Sequence, residues 1–174
     1  MTKAKGHEPQ PDHLTHLTSA GHAHMVDVGA KPITARIAVA TARVRTTCSV
    51  IESIAAGEIP KGDVLAVARV AGILAAKRTP ELIPLCHPVQ TTSAAIDFEP
   101  DASKGELRIR ATLEALDRTG VEMEAMTAAS IAALTVYDMI KSADPWACID
   151  QVRLESKSGG KSGSVTRAGA RSRG

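Results

Sequence analysis

The segment VEMEAMTAASIAALTVYDMIKSAD, residues 121–144, limits what this chain can become more than any other stretch. Its spacing predicts a long helix from about Glu122 to Ala143. Met123, Met126, Ile131, Leu134, Val136, Met139 and Ile140 are spread around nearly the whole circumference. A helix that is apolar on every side is buried on every side, and 174 residues do not supply enough other structure to cover it. The segment therefore predicts packing against a second copy of the chain. Its alanines allow close helix approach, although each buries little area, so a lone subunit gains only modest stability from them.

The surrounding pattern alternates between two periods. Residues 35–46 read as a strand, with Ile37 and Val39 alternating and Arg43 and Arg45 further along. A short helix follows, capped by Thr47 and ended by Gly57. The next helix runs from about Gly62 to Lys77, with Val64, Val67, Ala68, Ala71, Ile73 and Leu74 as a broad apolar stripe. Pro84 and Pro88 keep IPLCHPV extended or turned. In ELRIRATLE, Leu107, Ile109, Ala111 and Leu113 face one way, and Arg108, Arg110, Thr112 and Glu114 the other. Residues 91–98 pair with it across EPDASKG, and CIDQVRLES makes a last strand. The order β-α-α-β-β-α-β predicts an α+β fold, a ferredoxin-like antiparallel sheet with helices on one face. The division expected is a flexible extension over residues 1–13, one catalytic domain over 14–157, and a Gly/Ser/basic tail over 158–174 that starts as coil.

Composition excludes several functions. Three aromatic residues cannot build a base-stacking platform. With 21 Lys and Arg against 19 Asp and Glu, no global field steers the chain onto nucleic acid. No apolar run reaches membrane-spanning length, and no secretory signal is read at the amino terminus. Three cysteines without a short spacing fit reduced thiols, and the expected location is the cytoplasm.

Chemistry concentrates in a few places. Asp138 and Lys141 share a helix face, and a carboxylate among Val136, Tyr137, Met139 and Ile140 is expected to be partly dehydrated, a costly setting that favours function. Glu124 lies fourteen positions from Asp138, about 21 Å along a helix. One small reacting centre cannot touch both from a single chain, so either the substrate is long or the site is shared between copies. His87 lies between two prolines, and histidine is the side-chain type best suited to proton exchange near neutral pH. Lys61, Lys157 and Lys161 lie on glycine-containing segments suited to phosphate, although KSGGKSG lacks the Walker A spacing. No metal site and no cofactor are assigned: Cys86 has no CxxC partner, and HAH at residues 22–24 lacks an acidic or Cys cluster near it. The competing readings are a nucleic-acid module using the basic tail, a metal hydrolase using His22, His24 and His87, and a scaffold.

HMVDV at residues 24–28, KGDV at 61–64, AKRTPELIPLCHP at 76–88, TGVEMEAMTAAS at 119–130, YDMIK at 137–141 and KSGGKSG at 157–163 stand in one order. Together they resemble the molybdenum cofactor biosynthesis protein C family, the cyclic pyranopterin monophosphate synthases, over roughly residues 14–163. The resemblance implies a lyase that rearranges 3′,8-cyclo-7,8-dihydro-GTP into cyclic pyranopterin monophosphate and releases pyrophosphate. It also implies a homohexamer, a trimer of dimers with interfacial active sites. Position by position, it makes Asp138, Lys141, His87 and Lys61 catalytic. Substrate contacts fall to Leu85, Cys86 and His87, to Glu122, Met123 and Glu124, and to Lys157 and Lys161. Arg118 stands where the family usually has Lys, and Ile140 where it often has Cys.

Overall fold

The computed structural model describes residues 22–161 and 163–167; the expected extension over residues 1–13 lies outside them. The elements are β1 (Thr34–Arg45), α1 (Cys48–Ala56), α2 (Val64–Lys77), α3 (Thr79–Leu82), β2 (Thr91–Asp101), β3 (Glu106–Asp117), α4 (Glu122–Ile140), β4 (Cys148–Ser158) and β5 (Val165–Thr166). The fold is α+β and ferredoxin-like: an antiparallel sheet of order β2-β3-β1-β4-β5 with the helices packed against it.

The core follows from the pleat. Along β3, Leu107, Ile109, Ala111 and Leu113 are wholly buried. Their cross-strand neighbours on β1 are Val44, Ala42, Ala40 and Ala38. Those four, rather than Ile37, point into the core: Ile37 is 39% exposed on the other face. Small residues on β1 leave room for α4, which buries Ala125, Ala128, Ala129, Ala132, Ala133 and Val136 between the sheet and α2, all at 0% exposure. Alanine facing alanine lets a core with so few aromatics close by approach of the backbones instead of by the reach of long side chains. The same logic governs α2 against α4. The buried face of α2 is Val64, Ala68, Gly72, Ala75 and Ala76, and a Cβ on Gly72 would stand 2.9 Å from the Ala128 carbonyl oxygen. This corrects the broad stripe read from sequence, since Val67 and Leu74 are about half exposed.

Helix ends obey local chemistry. The Thr47 hydroxyl accepts from the Val50 N–H, and Gly57 closes α1 in the left-handed region at φ 72°. α2 begins at Val64 because Asp63 caps it, accepting from Ala66 N–H at 2.9 Å. α4 ends at Ile140, earlier than Ala143, because the N–H groups of Ala143 and Asp144 both turn back onto the Ile140 carbonyl. α3 was not anticipated; it places Pro80 in its first turn, where the missing N–H leaves no bond unmade.

Away from the helices, the sheet carries a charged quilt. Arg43 grips Asp150 through two N–H groups at 2.7 and 3.0 Å and reaches Glu106 at 2.9 Å. The tail expected as coil contributes in part to the sheet. β4 runs to Ser158, and β5 returns to pair Thr166 with Ser156 and Val165 with Lys157.

Candidate active site

Two clusters form, one at each end of α4. At the carboxy-terminal end, Lys61 donates to the Asp138 carbonyl at 2.5 Å and to Asp138 Oδ2 at 3.2 Å. Lys141 lies 2.7 Å from Asp138 Oδ1. The Asp138 carbonyl belongs to the last turn, where helix carbonyls lack intrahelical donors and the dipole favours cations, so both lysines are well placed. Local structure sets Lys61. Ile59 is buried, Gly62 turns at φ 103°, and Asp63 starts α2, which leaves the lysine between a core anchor and a helix cap. Hydrogen bonds from Lys141 and then Lys61 hold the Asp138 carboxyl below its ordinary range, and Asp138 in turn raises Lys141.

Partial dehydration of Asp138 is not found in the single chain, where its side chain is 58% exposed and that of Lys141 50%. The physical reason is the helical angle. Val136, Met139 and Ile140 turn inward, whereas Asp138 follows the outer stripe of Leu134 and Lys141, spaced four and three residues away.

At the amino-terminal end, Glu124 is 1% exposed, its Oε1 lies 3.7 Å from Cys86 Sγ, and its Oε2 has no hydrogen-bond partner. Burial pushes the Glu124 carboxyl up. Burial, then Glu124, pushes the Cys86 thiol up to about 11, so it is a neutral donor. Glu122 meets Lys157 of β4 at 2.8 Å. That carboxylate folds over Gly120, where a Cβ would lie 1.8 Å from its oxygen. His87 Nε2 lies 2.6 Å from the Val26 carbonyl oxygen. A carbonyl only accepts, so Nε2 carries the proton, and in the neutral ring Nδ1 is left as the acceptor.

Leu85 and Met123 border this cluster in sequence and are 37% and 39% exposed. Lys161 is exposed in the turn between β4 and β5. The structure thus brings Lys61, Asp138 and Lys141 together, and Cys86 with Glu124. Lys157 joins Glu122 near the start of α4, while Glu124 and Asp138 remain about 21 Å apart along the helix.

The segment before β1 also contributes through its backbone. Val26 receives His87, and Arg118 donates to the carbonyls of Gly29, at 2.7 Å, and Lys31. The signal lies in HMVDV, where the Val26 carbonyl meets the His87 ring.

Among the described residues, no group of three His, Cys, Asp or Glu side chains is arranged to hold a metal ion. No helix among them is long and apolar enough to cross a membrane.

A family model described as the MoaC family matches residues 25–160. The cyclic pyranopterin monophosphate synthase of Chloroflexus aurantiacus is 59% identical over 150 residues, covering 86% of this chain and 92% of the relative. The protein of that name from Streptomyces coelicolor is 52% identical over 163 residues, 94% of each chain. That from Clostridium perfringens is 55% identical over 150 residues, covering 86% and 95%. With its identifying stretches gathered at the two ends of one helix, this chain belongs to the MoaC family.

Proposed function

We propose that this chain is a cyclic pyranopterin monophosphate synthase, a lyase converting 3′,8-cyclo-7,8-dihydro-GTP into cyclic pyranopterin monophosphate with loss of pyrophosphate. The activity is carried by the 50–59% identity to synthases of that name over at least 86% of the chain. The work of the site is shared between two copies. What supports this is the pair of clusters at opposite ends of α4. A two-fold axis crossing the middle of that helix sets the amino-terminal cluster of one copy against the carboxy-terminal cluster of the other, twice over. The outer stripe of α4 suits such a contact: Met123 and Leu134 are 39% and 53% exposed in the single chain. Such dimers assemble into the hexamer, and covering the stripe supplies the dehydration that Asp138 lacks alone. The free thiols of Cys48, Cys86 and Cys148 fit a cytoplasmic enzyme.

In this reading, opening and reclosing the purine-derived rings needs repeated proton transfers. Asp138 and Lys141, with His87 through Nδ1, give and take them. Closing the cyclic phosphate joins a sugar hydroxyl oxygen to the α-phosphorus, breaks the bond to the departing pyrophosphate and hands the hydroxyl proton to a base. Lys61, Lys157 and Lys161 stabilise the charge that grows on the phosphates, which helps the transition state more than the bound substrate. Leu85, Cys86, Glu122, Met123 and Glu124 line the guanine-derived end. The unpartnered Glu124 oxygen is ready to accept a substrate N–H.

The test is to incubate the purified chain with the cyclised GTP derivative and assay product and pyrophosphate. Wild type releases one pyrophosphate per product, and Asp138→Ala or Lys141→Ala lowers turnover at least ~100-fold with the oligomer intact. Absence of product from wild type contradicts the assigned activity, and undiminished turnover in both variants removes the pair from the mechanism.

A further inference from the structure

The family match ends at residue 160, yet the chain beyond it is built onto the sheet. Lys161 stands midway between Lys157 and Val165, which face each other across the β4–β5 ladder. The outgoing limb of this turn is packed down. Gly159 and Gly160 have φ of 99° and 68°, and a Cβ on them would lie 2.0 Å from the Ala35 carbonyl oxygen and 1.9 Å from the Arg36 guanidinium. Glycine is required there on both counts.

The returning limb has less to hold it. Two ladder residues form a pairing too short to persist unaided. Arg167 adds the rest. Its N–H donates to the Glu155 carbonyl at 2.8 Å, and its Nε donates to the Leu154 carbonyl at 3.0 Å and lies 3.9 Å from Glu155 Oε2. Glu155 is itself a firm anchor: it is 8% exposed and accepts from Thr41 Oγ1 at 2.8 Å and Arg153 Nε at 2.6 Å.

We infer that Arg167 is a positioning residue for phosphate recognition: it clips the returning limb to β4, so that the Lys161 ammonium is presented beside the β4–β5 pairing instead of from a loose limb. The inference rests on the proposed role of Lys161 at the triphosphate. Arg167 touches no reacting atom, and its effect travels through the geometry of the turn.

The test combines Arg167→Ala, Arg167→Lys, Lys161→Ala and the double variant, with tryptic cleavage after Lys161 as a readout that needs no turnover. Arg167→Ala raises KM for the triphosphate substrate roughly 3- to 10-fold, the range for losing the ordering of one rotamer-rich side chain, with kcat nearly unchanged. It also speeds cleavage after Lys161, and Arg167→Lys recovers part of both effects. In the Lys161→Ala background, Arg167→Ala changes KM no further. An unchanged cleavage rate overturns the clip. Multiplying KM effects in the double variant overturn the positioning role, as does a Lys161→Ala variant with unaltered KM. If wild type has no synthase activity, the cleavage comparison still reads the clip, so the two failures are distinguishable.

Discussion

Replacing Glu124 with Gln removes a charge from a buried position while keeping its shape, and the consequences for stability and activity run in opposite directions. Glu124 is 1% exposed with one oxygen unpartnered. A buried polar group left without a bond costs about 1–3 kcal/mol, and more when it is charged. Burial raises the folded-state pKa of this carboxyl above its unfolded value. The folded state therefore binds that proton more tightly, and stability is lost as pH climbs from the unfolded pKa through the folded one. Glu124→Gln escapes this loss. Relieving about 1–2 kcal/mol raises Tm by roughly 2–8 °C in a chain of this size, with a larger gain at pH 8 than at pH 5. The same change removes a charge-assisted bond to substrate, worth about 1.5–3 kcal/mol. That corresponds to a fall in kcat/KM of about 10- to 150-fold. Scanning calorimetry at the two pH values and steady-state kinetics check both halves. A Tm that drops at pH 8 refutes the view that the Glu124 charge is held against a burial penalty.

Two further outcomes follow from particular contacts. With iodoacetamide at pH 8, the exposed Cys48 and Cys148 alkylate readily. Cys86, its thiol pushed up to about 11, reacts roughly two orders of magnitude more slowly than an ordinary thiol. Rapid modification of Cys86, mapped by mass spectrometry, contradicts a neutral donor facing Glu124. Gly72→Ala gains about 1 kcal/mol of helix propensity but presses on the Ala128 carbonyl at 2.9 Å, an overpacking that costs about 1–3 kcal/mol. Tm falls by a few degrees, and a rise shows that α2 and α4 are not held at the spacing that requires glycine.

Most of the architecture is legible because strict alternation leaves little freedom. ELRIRATLE settles the face of β3 and, through pairing, that of its neighbours. In β1, hydrophobicity points to Ile37 because it flags large side chains, whereas this core uses alanines where α4 comes close. The same bias overstated Val67 and Leu74 on α2. For the site, spacing along α4 separates Glu124 from Asp138 without coordinates, because the helical rise is fixed. The environment of Asp138 was not legible. A run of apolar neighbours suggests burial, but the turn angle places the carboxylate on the outer stripe. The return of β5 onto β4 was hidden by composition, since a glycine-rich basic segment reads as coil unless one knows that Arg167 finds the backbone of β4.

Complementation between two inactive variants bears most directly on the shared site. Chains carrying Glu124→Ala and chains carrying Asp138→Ala are purified, shown to be inactive separately, then co-assembled in equal amounts and assayed. If each site draws one end of α4 from either copy, half of the dimers are mixed and each holds one intact site. About a quarter of wild-type activity then returns. If both ends of one helix serve the same site, no assembly contains an intact one. The mixture stays as inactive as its components, and the account of a site divided between two copies is wrong.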